Sequence, residues 1–595
     1  MNEPCKTPWL ANYGEVRYHL DYPDISMFDK VCEIAEQYPE HTAYEFMGKK
    51  TSYREMVRQI KLTGAAFRAQ GVAPGDKVTL CLPNTPQTVC CFYALNYIGA
   101  IANMIHPLSS EGEIIFYLQD SGSVAAVTLD QFYPKFAAIQ DETHLPRLII
   151  GSIADALSPL KRAGYKLTEG KKIKPIPAED KTVVTWADFL AAGAAYTGPT
   201  AHPGYGKDAA VILYSGGTSG KTKGILLSNL NFNALGMQTI AMDNHFAVGD
   251  KVLSVMPMFH GFGLGVSIHT FLSHGGSCIL VPRFNAATYA KLLAKNKPNY
   301  IAGVPTLYEA LLRNPDIDDL DLSCLKGVFS GGDSLSIELK KKFDRFLAEH
   351  GCKVQIREGY GTTECVTASC LTPYHQSREG SIGLPYPDTY YKICKSGGNE
   401  EVPYGEEGEI CLSGPTVMLE YVNQPEETAD TLRRHEDGLI WLHTGDLGVM
   451  DEDGFVYFRQ RIKRMIVSSG YSIYPSQLEN IIDAHPKVLM SCVIGVPDTL
   501  KVQKVKGFVM LRPDFEPTQE VHDELMAYCR RNIAKYAMPY ELEFRAELPK
   551  TLVGKVAYKV LEDEEEARRL AAVSALTDAY GPTEGEAVAV IPKSI

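Results

Sequence analysis

The sequence has no Cys-x-x-Cys pair and no cysteine or histidine group at zinc-ligand spacing; its fourteen cysteines are scattered, with Cys90 and Cys91 adjacent. That excludes zinc-finger modules and redox dithiol motifs and predicts reduced, buried thiols in a cytosolic protein. There is no excess of positive charge: 59 Lys and Arg stand against 72 Asp and Glu, a net charge of −13. A phosphate-backbone partner is therefore not expected, and nucleic acid is excluded as a ligand class. Nor is there a long uninterrupted apolar run. The best candidate, Val89 to Ile105, is crossed by Asn96 and Asn103 and is predicted to be a buried helix, not a membrane span. The first residues, MNEPCKTPWLANYGEV, lack a basic segment followed by an apolar core, so no secretory signal is visible and the expected location is cytoplasmic. No short repeat or low-complexity block interrupts the chain.

What is present is the composition of a globular protein, 595 residues with 45% hydrophobic and 22% charged residues, long enough for two or more domains. Apolar runs bounded by Gly or Pro, such as 77–82 and 278–281, alternate with helical patterns such as 290–294. This alternation predicts α/β layers.

Residues 214–224, YSGGTSGKTKG, come within one residue of a Walker A loop: Gly220, Lys221 and Thr222 supply its end, but Ser215 stands where the first glycine belongs. The run 209–214 before it reads as a strand. After it, Gly224 interrupts any helix and Ile225-Leu226-Leu227 reads as another strand. A P-loop needs a helix opening at its lysine. The expected arrangement is instead strand, glycine-rich loop, strand, in which exposed N–H groups, hydroxyls and the charges of Lys221 and Lys223 can hold phosphate. On these residues alone a solvent-exposed hairpin fits equally well.

Other patches share the same chemistry. EGYGTTE, 358–364, gathers glycine, an aromatic ring, two threonines and a carboxylate, a set able to stack on a base, bond phosphate oxygens and hold a hard cation. HTGDL, 443–447, presents Asp446 after a glycine, suited to the two hydroxyls of a ribose, and PKTLVGKVAYK, 549–559, carries Lys555 beside a glycine. Each patch alone reads as a surface turn.

In their order and spacing, these motifs resemble the adenylate-forming superfamily of acyl-CoA synthetases, carrier-loading adenylation domains and beetle luciferases. The family's phosphate loop is usually YTSGTTGxPKG; residues 214–224 match it with departures at Ser215, Gly216, Ser219 and Thr222. The Gly216-Gly217 pair is similar to a variant common in bacterial long-chain fatty acyl-CoA ligases, as are PWLANYGEVRYHLDYP near the start and LIIGSIADALSPLKRAGYK further on. The resemblance implies an α/β fold: a large N-terminal domain of layered α/β subdomains and a small mobile α+β C-terminal domain with a hinge at 461–464. A change of pattern near residue 460 sets their expected bounds at 1–460 and 461–560, and the acidic stretch LEDEEEARRLAAV from Leu561, which trails into a Gly/Pro-containing end, is read as a peripheral tail, 561–595.

The resemblance also implies roles. ATP would be held by Ser215, Gly216, Gly217, Thr218, Ser219, Gly220, Lys221 and Lys223, with Gly331, Gly332, Tyr360, Gly361 and Thr362 around the adenine and phosphates, and Asp446 and Arg461 at the ribose. Lys555 would stabilise charge on the α-phosphate, Thr363 would bond that phosphate, Glu364 would ligate Mg²⁺, and His260 of PMFHGFG would lie near the acyl carboxylate. Lys463 would be the hinge residue, and Gly470 and Tyr471 would line the coenzyme A tunnel. The implied reaction joins a carboxylic acid, expected to be a medium- or long-chain fatty acid, to coenzyme A through an acyl-adenylate; a separate phosphopantetheine carrier protein is the alternative acceptor.

The basic stretch 161–174, KRAGYKLTEGKKIK, holds one acid, Glu169. It is read as a solvated surface loop, with contact to an anionic membrane surface as the alternative.

Overall fold

The protein is described here from a computed structural model that covers residues 6–177, 180–215, 222–468, 471–498, 501–551 and 554–580. It divides into two compact units, the first Met1–Ile462 with Gly554 and Lys555, the second Lys463–Thr551 with the chain from Val556.

Two sheets of the first unit are largely parallel. In one of eight strands the order is Glu420–Tyr421, Gly224–Ser228, Ala209–Tyr214, Ile101–Met104, Lys77–Cys81, Ala125–Leu129, Leu148–Gly151 and Val183–Thr185. In the other, of nine strands, Tyr300–Gly303, Gly327–Ser330 and Ile356–Tyr360 run parallel side by side. Strands such as AAVTL and LIIG are buried at every position because helices cover both faces, which is why they read as continuous apolar runs and not as alternating ones. A third sheet of this unit is antiparallel, with Tyr390–Cys394, Glu407–Ser413, Ile440–Met450 and Leu432–Arg434 in that order and Val456–Arg461 also paired to Ile440–Met450.

Local chemistry sets the helix boundaries. Ser110 and Glu113 close a capping box at the start of Glu111–Ser121, and Gly122 ends that helix in the left-handed conformation. Thr85 caps Pro86–Tyr97, whose proline sits where no helical N–H is required. The predicted helix Val89 to Ile105 stops at Tyr97: Gly99 adopts φ +73° and Ile101–Met104 becomes a strand. Asn96, inside the helix, donates to Asn229 at 2.7 Å, and Asn103, on the strand, donates to Thr79 and Ser121. The asparagines that interrupt the apolar run thus serve buried hydrogen bonding.

In the second unit, Tyr471–Ile473, Ile466–Ser468, Val502–Leu511 and Val488–Asp498 form a sheet in that order, with Glu541–Phe544 parallel to Val502–Leu511. Residue 561, where the sequence suggests a tail, lies inside the helix Tyr558–Tyr580. Leu561 is fully buried against Ile494, Phe508 and Leu548. The Lys506 ammonium, also buried, meets Glu543 at 2.8 Å and Glu565 of that helix at 3.0 Å.

Candidate active site

In parallel α/β sheets, ligands bind beyond the carboxyl ends of the strands, where loops and helix starts leave backbone groups free. Three of the stretches singled out from sequence sit there. Ser215 follows the strand Ala209–Tyr214, Gly331 and Gly332 follow Gly327–Ser330, and Gly361 and Thr362 follow Ile356–Tyr360. EGYGTTE is thus the end of a strand and the start of the short 3-10 helix Thr363–Cys365, not one turn.

Gly332 needs its glycine, with φ +81°, and a Cβ there would lie 3.5 Å from Cε of Lys555. Beside Lys555, the carbonyl of Gly554 accepts the Thr306 hydroxyl at 2.9 Å. Burial and the Arg461 guanidinium push the Lys555 ammonium below the usual lysine range, while Asp333, Asp446 and Glu364 act in the opposite direction. A cation is thus held amid three carboxylates of the same unit.

Asp446 lies on the strand Ile440–Met450, register-paired with Arg461. Its Oδ2 accepts the Tyr360 hydroxyl at 2.7 Å, and its Oδ1 lies 3.5 Å from Arg461 Nε. That Oδ1 is buried and, among the described residues, has no hydrogen-bond donor. Burial raises the Asp446 carboxyl above the usual carboxylate range, against the pull of Arg461 and Tyr360. A buried carboxylate oxygen that lacks a donor is suited to receive a hydroxyl from a ligand. Tyr360, expected to stack on a base, is also the residue that orients this carboxylate.

Glu364 accepts the Tyr421 hydroxyl at 2.8 Å, and its backbone carbonyl accepts Met418 N–H at 2.7 Å. The chain then turns through Val366, a β-branched residue at φ +66°. Such strain persists only where the surroundings impose it. They do here, since Gly261 packs so tightly that a Cβ on it would fall 1.7 Å from the Val366 carbonyl oxygen. The glycines of PMFHGFG are therefore demanded by close approach, and they lead into the π-helix Phe262–His269, itself a rare element. His260 Nδ1 accepts the N–H of Phe262 at 3.1 Å, leaving Nε2 as the protonated nitrogen of the neutral ring. Burial, aided by Lys555, holds its pKa down to about 3. At neutral pH it can donate one hydrogen bond but is not an acid.

Other expected residues fall differently. Lys223 is ion-paired with Glu427 and lies 4.6 Å over the Tyr421 ring, so its charge is already matched. Ser215 Oγ accepts Lys223 N–H at 3.2 Å, closing the base of the glycine-rich loop. Gly216, Gly217, Thr218, Ser219, Gly220, Lys221 and Gly470 lie outside the described residues. The backbone of Lys463 belongs to the 3-10 turn Ile462–Arg464 and that of Tyr471 to the strand Tyr471–Ile473, which pairs with Ile466–Ser468.

The sequence did not reveal the support beneath Asp446. Glu409 Oε1 accepts Gly445 N–H at 2.9 Å and Glu409 Oε2 faces His443 Nδ1 at 2.9 Å, while His443 Nε2 faces His435 Nε2 at 2.9 Å. With its Nδ1 proton given to Glu409, His443 accepts from His435. Cys411 Sγ lies 3.5 Å from the same His443 Nδ1. No sequence spacing marks this group, because antiparallel pairing across 409–443 brings it together. A narrow cleft beside Gly331 and Gly332 is walled by Thr239, Phe262, Val266 and Ala368.

Residues 31–422 match the family of AMP-binding enzymes and residues 477–555 the C-terminal domain of AMP-binding enzymes. A long-chain-fatty-acid–CoA ligase of Bacillus subtilis is 35% identical over 94% of this chain and 98% of its own length. One of Escherichia coli O6:H1 is 32% identical over 94% and 98%. Among solved structures, ATP-bound MatB from Rhodopseudomonas palustris superposes with a TM-score of 0.78 at 24% identity, over 91% of this chain and 99% of that one. That likeness concerns the fold.

Proposed function

Because the chain belongs to the AMP-binding enzyme family, we propose that it activates a medium- or long-chain fatty acid with ATP, forming an acyl-adenylate and pyrophosphate, and then transfers the acyl group to coenzyme A with release of AMP. The observation that carries this reading is the buried carboxylate of Asp446, held by Tyr360 and Arg461, with the Lys555 cation among the neighbouring acids. The substrate class rests on the names of the relatives, which also favour coenzyme A over a carrier protein as acceptor.

A carboxylate is a poor acyl donor until its oxygen becomes a leaving group. Attack of that oxygen on the α-phosphorus expels pyrophosphate and gathers negative charge on the α-phosphoryl oxygens, so fixed cations and donors there are the main catalytic device. Lys555 is suited to that charge, Asp446 Oδ1 to a ribose hydroxyl, and Thr363 to a phosphate oxygen. His260, neutral, can donate to the acyl carboxylate through Nε2–H. Glu364 has the hard oxygen donors that Mg²⁺ prefers, one of them oriented by Tyr421. Bound there, Mg²⁺ would neutralise phosphate charge. In the second half-reaction the thiol attacks the acyl carbonyl and AMP leaves. The division of compact units between Ile462 and Lys463 supports a hinge at Lys463, and Gly470 and Tyr471 are assigned to the thiol's approach by family pattern alone.

The test is Lys555→Ala with Mg-ATP and palmitate. Palmitate-dependent pyrophosphate release is expected to fall at least a hundredfold, on the scale of removing one preorganised charge stabiliser, with an unchanged unfolding curve. Undiminished release would refute the role.

A further inference from the structure

Adjacent strands of the antiparallel sheet of the first unit turn metal-ligating side chains to one face. On Glu407–Ser413, Glu409 and Cys411 stand two residues apart and so share that face. Cys411 is register-paired with His443 of Ile440–Met450, and a register shift between Glu409 and Cys411 lets Glu409 reach the same histidine. Cys394, register-paired with Glu409, packs with Trp441 against Cys411 and closes the group from that side. All of these side chains are buried. Among the described residues, no other three histidine, cysteine or acidic side chains bring ligand atoms so close together.

The spacing fits a small ion. Cys411 Sγ and Glu409 Oε2 lie 3.5 and 2.9 Å from His443 Nδ1, and one ligand atom from each of the three residues falls within 4.8 Å of the others. Atoms at about 2.0–2.3 Å from a tetrahedral zinc stand about 3.3–3.8 Å apart, so the sulfur is in place and the carboxylate has to withdraw by about 0.4 Å. Sulfur and imidazole donors favour a borderline ion such as Zn²⁺ over the hard Mg²⁺. A Cys411 thiolate and the Glu409 carboxylate cancel its charge, as a buried ion requires. Lys392, register-paired with Cys411, has its own charge met by Asp437 at 2.9 Å. On ligation, the proton that His443 gives to Glu409 moves to Nε2 and is donated to His435, the outer-shell bond that ligating histidines usually make. His435 is free to accept it, because its Nδ1 is buried and, among the described residues, has no partner to fix the tautomer of the ring.

We propose that Glu409, Cys411 and His443 bind one Zn²⁺, with the fourth position left for water or for the sulfur of Cys394. The ion enters at the edge of the sheet, where Leu432–Arg434 is the last strand and His435 begins the hairpin that returns to Ile440–Met450. Its place behind Asp446 gives it a task. Glu409 holds Gly445 N–H through Oε1, so fixing that carboxylate on an ion also fixes the turn that presents Asp446. The ion is distinct from the Mg²⁺ that Glu364 is suited to hold, and it takes no part in bond making.

The test takes the purified full chain, stripped with EDTA and dialysed against Zn²⁺ with Mg²⁺ in large excess, and reads metal content by atomic emission, with Co²⁺ as a spectroscopic stand-in. One zinc per chain is expected to remain, and Co²⁺ should give the near-ultraviolet charge-transfer band of a cobalt thiolate, erased by added Zn²⁺. Cys411→Ser should remove the band and weaken zinc binding at least about tenfold, and His435→Phe, which takes away the outer-shell bond, should weaken it by about 10–100-fold. Cys324→Ser, elsewhere in the same unit, should change neither. Urea midpoints of the variants in EDTA should match that of the parent chain, whose midpoint alone should rise fully with zinc. Loss of all zinc on dialysis, its displacement by Mg²⁺, or undiminished binding in Cys411→Ser would overturn the proposal. So would a cobalt spectrum of the parent chain without the thiolate band, which depends on no variant folding. Every readout is metal binding, so failure of the proposed acyl-CoA chemistry would leave the zinc site standing, and failure of the site would leave that chemistry standing.

Discussion

At the scale of single residues, the site depends as much on glycines as on charges. Gly261 and Gly164 make a controlled contrast. An added methyl at Gly261 meets the backbone of Val366, whose carbonyl oxygen would be 1.7 Å away, and backbone cannot turn aside as a side chain does. At Gly164, in the exposed helix Pro159–Leu167, nothing lies within 4 Å. Gly261→Ala is therefore expected to lower the melting temperature by several degrees and to remove most activity. Gly164→Ala should leave activity intact and add up to about 1 kcal/mol through helix propensity. Thermal unfolding of the two variants checks this, and equal effects would contradict the packing account. Sequence alone shows a glycine-rich PMFHGFG; it does not show which glycine faces a backbone oxygen, because the partner, Val366, is a hundred residues distant in the chain. Asp446 and Lys555 were legible as motif residues, whereas Glu409 was not, since its role is made by cross-strand pairing.

At the scale of elements, the glycine-rich stretch shows what local pattern decides. The apolar run before it and Gly224 after it predict strand, loop, strand, and Ala209–Tyr214 pairs antiparallel with Gly224–Ser228. The same reasoning failed on Val89 to Ile105, where apolar composition is shared by a buried helix and a buried strand and only Gly99 marks the break. It also missed the helix Tyr558–Tyr580, whose acidic start looks solvated. Glu565 is in fact buried and bonded to Lys506, whose positive charge comes from a strand more than fifty residues earlier. Leu561 beneath it is fully buried. Leu561→Ala is expected to destabilise the second unit by about 2–5 kcal/mol, measured by urea unfolding; a change below about 0.5 kcal/mol would mean that the helix is dispensable to that unit.

At the scale of the whole molecule, buried histidines set the response to acid. His269 is fully buried, facing Tyr93 OH at 3.0 Å through Nδ1 and Asn233 Oδ1 at 3.0 Å through Nε2, which satisfies the neutral ring. Burial holds its pKa down to about 3, that of His260 to about 3 and that of His274 to about 4. An unfolded histidine takes its proton near pH 6.5. Below that pH the unfolded chain binds more protons, so stability falls as pH drops from about 6.5 toward 4, by up to about 1.4 kcal/mol per pH unit for a fully buried ring such as His269. Glu358 opposes this, because burial raises its carboxyl to about 7 and favours the folded state as pH falls toward the usual carboxylate range. His435 of the same unit is also held down to about 4, so four histidines oppose Glu358 in this window. Asp120, Asp130 and Asp446, though raised, start from the usual carboxylate range of about 4. The balance is a net loss. The urea midpoint of the first unit should fall between pH 6.5 and 5, and a flat or rising midpoint would contradict the assignment of neutral buried rings.

The central claim is the reaction itself. The purified chain should be incubated with Mg-ATP, coenzyme A and carboxylic acids from acetate to oleate, with benzoate included, and the products identified by mass spectrometry. The account predicts acyl-CoA, AMP and pyrophosphate in equal amounts, with the longer chains preferred. Formation of ADP and phosphate, or the absence of carboxylate-dependent AMP with every acid, would contradict it.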